Sequence, residues 1–278
     1  MTHAQQQAAG YLMGESTREQ RRLAHGSEIL APATEQWLRG AGLAPGLRVL
    51  DVGCGVGDVS LLAAALVGGE GQVLGVDRSA GFIATARQRA AEFGLPQVEF
   101  LERDLMTLSF EEPFDAVIGR RILMHLADPV AAVQSLAGLV RPGGIVAFSE
   151  LVIPAVRSWP HLPLAEHIMS AIERAIEASG LHPDMGLRLY TTFVKAGLPP
   201  PQVRLDGLIG GGPDSPLYLW VAETAQALLP AITRFGIATP EELGLETLEE
   251  RLRIEALAAN AVLHINSLVG AWVTKPLE

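Results

Sequence analysis

The sequence predicts an α/β protein with a doubly wound, mostly parallel sheet and a helical cover inserted before the last strands. Short apolar runs alternate with helical patterns from Arg48 to about Leu151, which is typical of parallel strands joined by crossover helices. The 278 residues are 49% hydrophobic and 19% charged, enough to bury a core larger than that of one small module. After Leu151, prolines and glycines interrupt this alternation, which indicates a second region.

Five strands are predicted in the first region, each an apolar run bounded by turn residues, at 48–52, 72–77, 98–103, 114–119 and 144–150. Helices are predicted between them at 58–67, ending at Gly68 and Gly69, and at 81–93, ending at Gly94. A third helix follows from apolar residues at i, i+3, i+4 and i+7 between Val133 and Val140. The Arg141-Pro-Gly-Gly segment is then expected to turn the chain.

The second region is predicted to be mainly helical. Helical patterns cover 164–179 and about 221–232, with a kink expected at Pro230, and the Pro- and Gly-rich stretch 199–216 between them reads as a loop or hinge. Thr239 and Thr247 each precede a glutamate by three residues, so either can cap the helix that ends near Asn260. A returning strand is expected at 269–274.

These elements divide the chain into three parts. Residues 1–40 form an N-terminal helical segment. Residues 41–153, about 186–210 and 262–276 form the sheet core, and residues 154–185 and 211–261 form the helical cover.

Charge and cysteine content exclude several classes of function. The chain carries 21 basic and 31 acidic residues, a formal charge of −10, which argues against nucleic-acid partners and anionic membranes. Its one cysteine, Cys54, excludes an intramolecular disulfide and a multi-cysteine metal site, and no spacing of histidines and carboxylates indicates a metal. We find no secretory signal and no apolar run long enough to span a bilayer, and therefore expect a cytoplasmic protein.

The most informative stretch is the glycine-rich segment from Val49 to Asp58, between the first strand and the first helix of the sheet. Such a turn lets a nucleotide-like ligand approach the backbone at the carboxyl edge of the sheet. A dinucleotide fingerprint would need a small residue at position 58, where this chain has an aspartate. Because Asp58 and Asp51 would repel a pyrophosphate, we expect a cationic ligand instead. Two roles are equally expected for Asp58: contact with the ligand, or capping of the helix that follows the loop.

The run from Asp51 to Gly57, Asp-Val-Gly-Cys-Gly-Val-Gly, resembles the first motif of class I S-adenosylmethionine-dependent methyltransferases, D/E-x-G-x-G-x-G. The resemblance extends from Tyr11 to Glu150 and implies a Rossmann-like fold. It also implies a cofactor, S-adenosyl-L-methionine, and a set of residues that bind it. In the loop these are Asp51, Gly53, Cys54, Gly55 and Gly57, with Cys54 expected to contribute only its backbone.

The resemblance also implies contacts beyond the glycine loop. Asp77, followed by Arg78, matches the acid that accepts hydrogen bonds from the ribose hydroxyls, and Asp104 with Leu105 matches the adenine site. Arg120 is expected to face the cofactor's carboxylate or the substrate. Tyr11 belongs to a segment similar to the N-terminal helix of the ubiquinone/menaquinone-type small-molecule branch, where a tyrosine lies over the cofactor.

The function implied is methyl transfer to oxygen, nitrogen or carbon of a small-molecule acceptor, in secondary or quinone metabolism, with the cover helices over the acceptor pocket. His125 is the candidate general base, although supporting the cofactor loop is the alternative role for it. Two other functions stay open: a cyclisation or rearrangement that retains S-adenosylmethionine, and a cofactor-sensing binding protein. A nicotinamide oxidoreductase is disfavoured by Asp58. A homodimer is compatible with a helical cover that exposes apolar surface.

Overall fold

A computed structural model of the protein describes residues 17–155 and 157–277, so the predicted contact of Tyr11 lies outside the described residues. The chain divides into two compact units. We call one the sheet unit; it contains residues Ser27–Leu151, Met185–Asp206 and 268–277. We call the other the helical unit; it contains residues 17–26, Val152–Asp184 and Gly207–Ser267.

The first half of the chain alternates strands and helices as predicted. A long N-terminal helix, α1, is followed by a regular β-α succession that ends in a long strand: α1 (Thr17–Ala41), β1 (Arg48–Val52), α2 (Asp58–Val67), β2 (Gln72–Asp77), α3 (Ala80–Glu92), β3 (Val98–Glu102), β4 (Phe114–Arg120), α4 (Pro129–Gly138) and β5 (Val140–Val152). Short 3₁₀ turns follow β3 at Leu105–Thr107 and β4 at Leu123–His125.

The second half is mainly helical, with three further strands. Its elements are β6 (Arg157–Trp159), α5 (Pro163–Ala178), α6 (Met185–Lys195), β7 (Gln202–Gly211), α7 (Leu217–Arg234), α8 (Pro240–Leu243), α9 (Leu248–Ala259) and β8 (Val262–Thr274). In the helical unit α5, α7 and α9 pack on one another, and the buried face of α5 carries isoleucines at positions 168, 172 and 176. None of the helices in the described part of the chain combines the length and apolar character that crossing a bilayer requires.

The strand order β3-β2-β1-β4-β5-β8 confirms the predicted doubly wound, mostly parallel sheet. Strand β1 pairs in parallel with β2 on one side and β4 on the other, with Asp51 opposite Gly75 and Ile118. The chain therefore reverses its direction across the sheet between β1 and β4. Ligands of such sheets bind at this switch point, outside the carboxyl ends of the strands. Side chains from the strands, such as Val49 and Ala147, are fully buried in the core below it.

The prediction of a loop or hinge at 199–216 is wrong, because β7 occupies Gln202–Gly211 and pairs with β8. Prolines at 199–201 precede this strand and glycines at 210–212 lie at its end, and both residue types are typical of loops. The returning strand is also longer than expected, since β8 begins at Val262. Helix α6 was missed; its buried side chains include Met185, Leu189 and Phe193.

Two further local predictions differ from the structure. The Arg141-Pro-Gly-Gly segment lies inside β5, where Gly143 N–H donates to Lys275 O at 3.0 Å and Lys275 N–H donates to Gly144 O at 2.7 Å. Thr239 forms a capping box with Glu242, but on the separate short helix α8. Thr247 precedes α9 without a side-chain capping bond. Helix α7 includes Pro230, and the kink expected there stays a prediction.

Candidate functional site

The glycine-rich loop joins β1 to α2 at the carboxyl edge of the sheet. Its three glycines, Gly53, Gly55 and Gly57, have φ angles of +66°, +55° and +88°, a region that other residues adopt at a cost. Cys54 N–H donates to Val76 O at 3.0 Å, which ties the loop to the end of β2. Glycines therefore occupy the three positions of this tight turn at which the backbone has a positive φ.

Each glycine of the loop has a different neighbourhood. A β-carbon on Gly53 would lie 2.5 Å from Ile122 Cδ1, and one on Gly57 would lie 3.0 Å from Phe100 Cζ, so both positions are filled by neighbouring side chains. A β-carbon on Gly55 would meet no described atom within 4 Å. The middle of the loop thus borders open space, where a ligand can approach the backbone closely.

Asp77, at the end of β2, is bonded to this middle glycine. Its Oδ2 accepts a hydrogen bond from Gly55 N–H at 2.9 Å, and its Oδ1 accepts one from Ser79 N–H at 2.9 Å. The Ser79 side chain in turn caps α3 by accepting from Phe82 N–H at 3.1 Å. These bonds orient the half-buried carboxylate beside the open side of the loop. The structure therefore brings Asp77 and Gly55, two of the residues predicted to bind the cofactor, together.

Asp51, the acid that opens the motif, is almost completely buried. Its Oδ2 accepts a hydrogen bond from Ser60 Oγ at 2.6 Å, whereas its buried Oδ1 has no hydrogen-bond partner among the described residues. Burial raises the pKa of Asp51 from 3.8 to about 7, against the opposing effects of Ser60 and Arg120. A carboxyl group with a pKa near 7 and one oxygen without a hydrogen-bond partner suits a cationic hydrogen-bond donor.

Arg120 lies at the end of β4, partly buried. Its Nη1 donates to Thr34 Oγ1 at 2.7 Å, and that hydroxyl donates to Leu30 O at 2.8 Å, so α1 orients the guanidinium. Burial lowers the pKa of Arg120, while the charges of Asp58 and Asp51 act in the opposite direction. A partly buried guanidinium of this kind can also pair with a ligand carboxylate.

Asp58 plays a different part from the one expected. The first turn of α2 has no side-chain cap, so the prediction that Asp58 caps the helix is wrong. Instead Arg89 Nη1 donates to Asp58 Oδ1 at 2.6 Å and to Val56 O at 2.7 Å. Because Arg89 offsets the charge of Asp58, the repulsion of a pyrophosphate by Asp58 is weaker than the sequence suggests. The preference for a cation depends mainly on Asp51.

The predicted adenine residues follow β3. Asp104 is exposed, and its Oδ1 accepts a hydrogen bond from Met106 N–H at 2.9 Å, which starts the 3₁₀ turn containing the half-buried Leu105. Arg103 N–H donates to Asp77 O at 2.9 Å, which ties this segment to the end of β2. Arg78, next to Asp77, is exposed. These three predicted contacts therefore lie on adjoining strand ends of the sheet unit.

His125 and Cys54 are poor candidates for groups that ionise near pH 7. Burial lowers the pKa of His125 to about 4, and the charges of Arg121 and Arg78 add to this effect, so the imidazole is neutral at pH 7. Burial, reinforced by Asp51, raises the pKa of the Cys54 thiol well above its usual value. His125 can therefore accept a proton only as a weak base, and Cys54 stays a protonated thiol.

Glu150 is a buried polar residue that we did not predict as part of the site. Its Oε1 accepts hydrogen bonds from the N–H groups of Ile122 at 2.9 Å and Leu123 at 2.7 Å, and its Oε2 accepts a longer one from Met124 N–H at 3.4 Å. Burial raises its pKa to about 7, although these bonds oppose the rise. The only signal in the sequence is a glutamate near the end of β5, in the mostly apolar run 145–152.

Among the described residues, no three histidine, cysteine or acidic side chains lie close enough together to hold a metal ion.

Comparisons with known proteins agree with this geometry. A family model described as a methyltransferase domain matches residues 43–197, more than half of the chain. A ubiquinone biosynthesis O-methyltransferase of Paracidovorax citrulli is 35% identical over 140 residues, which are 50% of this chain and 58% of that protein. The aklanonic acid methyltransferase DauC of Streptomyces sp. is 39% identical over 119 residues, 42% of this chain and 54% of that protein. The chain thus spans about half the length of the curated relatives it matches.

A solved structure extends the likeness in fold beyond the matched segment. The YcgJ protein of Bacillus subtilis superposes with a TM-score of 0.58 at 18% identity, covering 88% of this chain and 99% of that one. At this identity the likeness concerns the fold alone.

Proposed function

Because this chain belongs to the methyltransferase domain family and is a class I S-adenosylmethionine-dependent methyltransferase, we propose that it methylates a small-molecule acceptor. The observation that carries the proposal is Asp51. Its buried Oδ1 lacks a partner beside a glycine turn whose middle residue borders open space. A positively charged ligand with an N–H donor satisfies such an oxygen, and a pyrophosphate does not.

The residues present fit the cofactor. Asp51 would accept from its ammonium group, and Arg120, held by Thr34, would pair with its carboxylate. Asp77, fixed by the N–H groups of Gly55 and Ser79, would accept from the ribose hydroxyls. The open side of Gly55 would let the cofactor lie against the backbone.

When bound, S-adenosylmethionine would supply a methyl group attached to a positively charged sulfur. A nucleophile can attack the carbon of this methyl group directly, and the sulfur is the leaving group. The protein's own contribution is then mainly orientation, which can lower a barrier by several kcal/mol. The buried Asp51 on β1 and the partly buried Arg120 on β4 would hold the ammonium and carboxylate groups of the methionine end. His125, neutral at pH 7, is the proposed acceptor of a proton from a hydroxyl that is methylated.

For the acceptor, we propose an oxygen of a hydroxylated aromatic or quinone-like compound. Two matched relatives support this: a ubiquinone biosynthesis O-methyltransferase and an aklanonic acid methyltransferase.

Calorimetry with S-adenosylmethionine and S-adenosylhomocysteine tests the first part of the proposal. We expect both to bind, and we expect Asp77→Ala to lose binding while Asp214→Ala, at an exposed aspartate of the helical unit, retains it. Formation of S-adenosylhomocysteine with a soluble hydroquinone or hydroxynaphthoquinone tests the second part. If S-adenosylmethionine binds but no acceptor leads to S-adenosylhomocysteine, the result would instead support a cyclisation, a rearrangement or a cofactor-sensing function.

We also propose that the chain forms a homodimer. One face of α6 presents Leu187, Tyr190 and Val194, which are 69%, 48% and 44% exposed, and a subunit contact would remove them from water. Light scattering of the purified protein tests this. Tyr190→Glu is expected to give a monomer, and a wild-type protein that is already monomeric at micromolar concentration would refute the proposal.

A further inference from the structure

We propose that Glu150 is a positioning residue for the cofactor loop: it holds the turn after β4, and this turn holds Gly53 in its reversed conformation. The proposal rests on the proposed function insofar as the loop binds S-adenosylmethionine. The two proposals still fail separately, because the position of the loop can be measured without ligand.

The first step is the set of acceptors that Glu150 offers. Strands β4 and β5 are parallel with Arg120 opposite Ser149, so Glu150 lies beside the point where the chain leaves β4. The 3₁₀ turn Leu123–His125 begins at Ile122 without a side-chain cap. The first N–H groups of a helical turn have no partner within the turn. Glu150, with no exposed surface, supplies these partners from the neighbouring strand.

The second step joins this turn to the glycine loop. The side chain of Ile122 lies where a β-carbon of Gly53 would be, with Cδ1 and Cγ1 at 2.5 and 2.6 Å from that position. Ile122 Cγ2 also lies 2.9 Å from the β-carbon position of Gly119, on β4. Ile122 is therefore confined between the two glycines while its N–H is held by Glu150. A shift of the turn must move the side chain on which Gly53 packs.

The charged groups around Glu150 agree with a role in holding backbone. Arg121 acts on its carboxyl electrostatically, and Arg121 N–H donates to Ser149 O at 2.8 Å with a φ of +58°, so the chain reverses sharply here. His125 closes the turn and is neutral at pH 7. The hydrogen bonds to Ile122 and Leu123 share one carboxyl oxygen, and a glutamine can provide one such oxygen.

The test compares four single variants of the full chain and the double variant Glu150→Ala/Ile122→Ala. Glu150→Ala removes every acceptor, Glu150→Gln keeps one oxygen, and Ile122→Ala removes the contact with Gly53. Asp115→Ala is the matched control, because Asp115 also accepts a backbone hydrogen bond, from Arg48 N–H at 2.7 Å, but at the opposite end of the strands. Hydrogen exchange of peptides covering 49–60 and 120–127 is measured without ligand, and S-adenosylmethionine affinity by calorimetry.

We expect Glu150→Ala to speed exchange in both peptides and to weaken cofactor binding by about tenfold, since three N–H groups, two of them buried, lose their acceptor. Glu150→Gln should restore most of the affinity, and Ile122→Ala should weaken it without adding to the effect of Glu150→Ala in the double variant. Asp115→Ala should lower the melting temperature and leave the exchange of 49–60 unchanged.

Three results would overturn the proposal. One is a Glu150→Ala protein whose 49–60 peptide exchanges as in the wild type. Another is a Glu150→Gln protein as weak as Glu150→Ala, and the third is independent, multiplying effects of the Glu150 and Ile122 variants. If the wild type binds no S-adenosylmethionine but Glu150→Ala still speeds hydrogen exchange of 49–60, the proposed function is refuted and the positioning role is supported.

Discussion

Replacing Asp51 by asparagine should make the free protein more stable while weakening its binding of S-adenosylmethionine. Burial raises the pKa of this carboxyl from 3.8 to about 7. An acid whose pKa is raised by folding contributes its full stability below its unfolded pKa and loses it as the pH rises through the folded value. The wild type therefore loses stability between about pH 4 and pH 8, and a residue that cannot ionise does not.

The magnitude follows from the pKa. A rise from 3.8 to about 7 corresponds to about 4 kcal/mol at 1.36 kcal/mol per pKa unit, of which about 3 kcal/mol accrues between pH 5 and pH 8.5. For a domain the size of the sheet unit, the change of about 3 kcal/mol between pH 5 and pH 8.5 corresponds to a change in melting temperature of roughly 6 to 12 °C. Asparagine keeps an oxygen for Ser60, and any cost of its buried N–H₂ group does not depend on pH.

The assay is thermal unfolding of the wild type and Asp51→Asn between pH 5 and pH 8.5, followed by calorimetry with S-adenosylmethionine. The melting temperature of the variant relative to the wild type should rise with pH across this range. Asp115→Asn is a control of opposite sign. Burial raises the Asp115 pKa, but the bonds from Arg48 N–H and Arg141 outweigh it and hold that pKa below its usual value.

Asp115 therefore stabilises the protein above its unfolded pKa, and Asp115→Asn should be less stable than the wild type throughout this range. For Asp51→Asn, a stability difference that stays constant or falls with pH would refute the assigned pKa. Undiminished affinity for S-adenosylmethionine would refute the role of Asp51 in binding.

Three other predictions concern the same edge of the sheet. Gly53→Ala should cost more stability than Gly55→Ala, because both strain the backbone but only the first meets Ile122; chemical denaturation measures the difference, and equal costs would contradict the packing. Cys54 should react with a thiol reagent only at the rate of unfolding, so rapid labelling of the native protein at pH 8 would contradict its burial and raised pKa. His125→Gln should lower kcat by about a hundredfold with an unchanged cofactor Kd, and the wild-type rate should fall only as the pH approaches 4; an unaltered kcat would exclude His125 as the base.

Local patterns were sufficient for the elements whose signals lie within a few residues. Strands β1 and β2 and helix α2 have the predicted bounds, because an apolar run or a helical stripe bounded by glycines describes each of them completely. Strand β7 was missed because prolines before it and glycines at its end are typical of loops, and because it is mostly exposed and its partner, β8, lies far along the chain. Its pairing is a tertiary property that no local pattern contains.

The glycine motif, its acidic first residue and the acid that ends β2 were readable from the sequence alone, because left-handed turns and strand ends restrict residue type. Tertiary structure decided the chemistry of those residues. Burial sets the pKa of Asp51, Arg89 neutralises Asp58, and Glu150 becomes the partner of a turn 26 to 28 positions away in the chain. Hydrogen bonds and desolvation depend on which side chains meet in space, so only the folded chain specifies them.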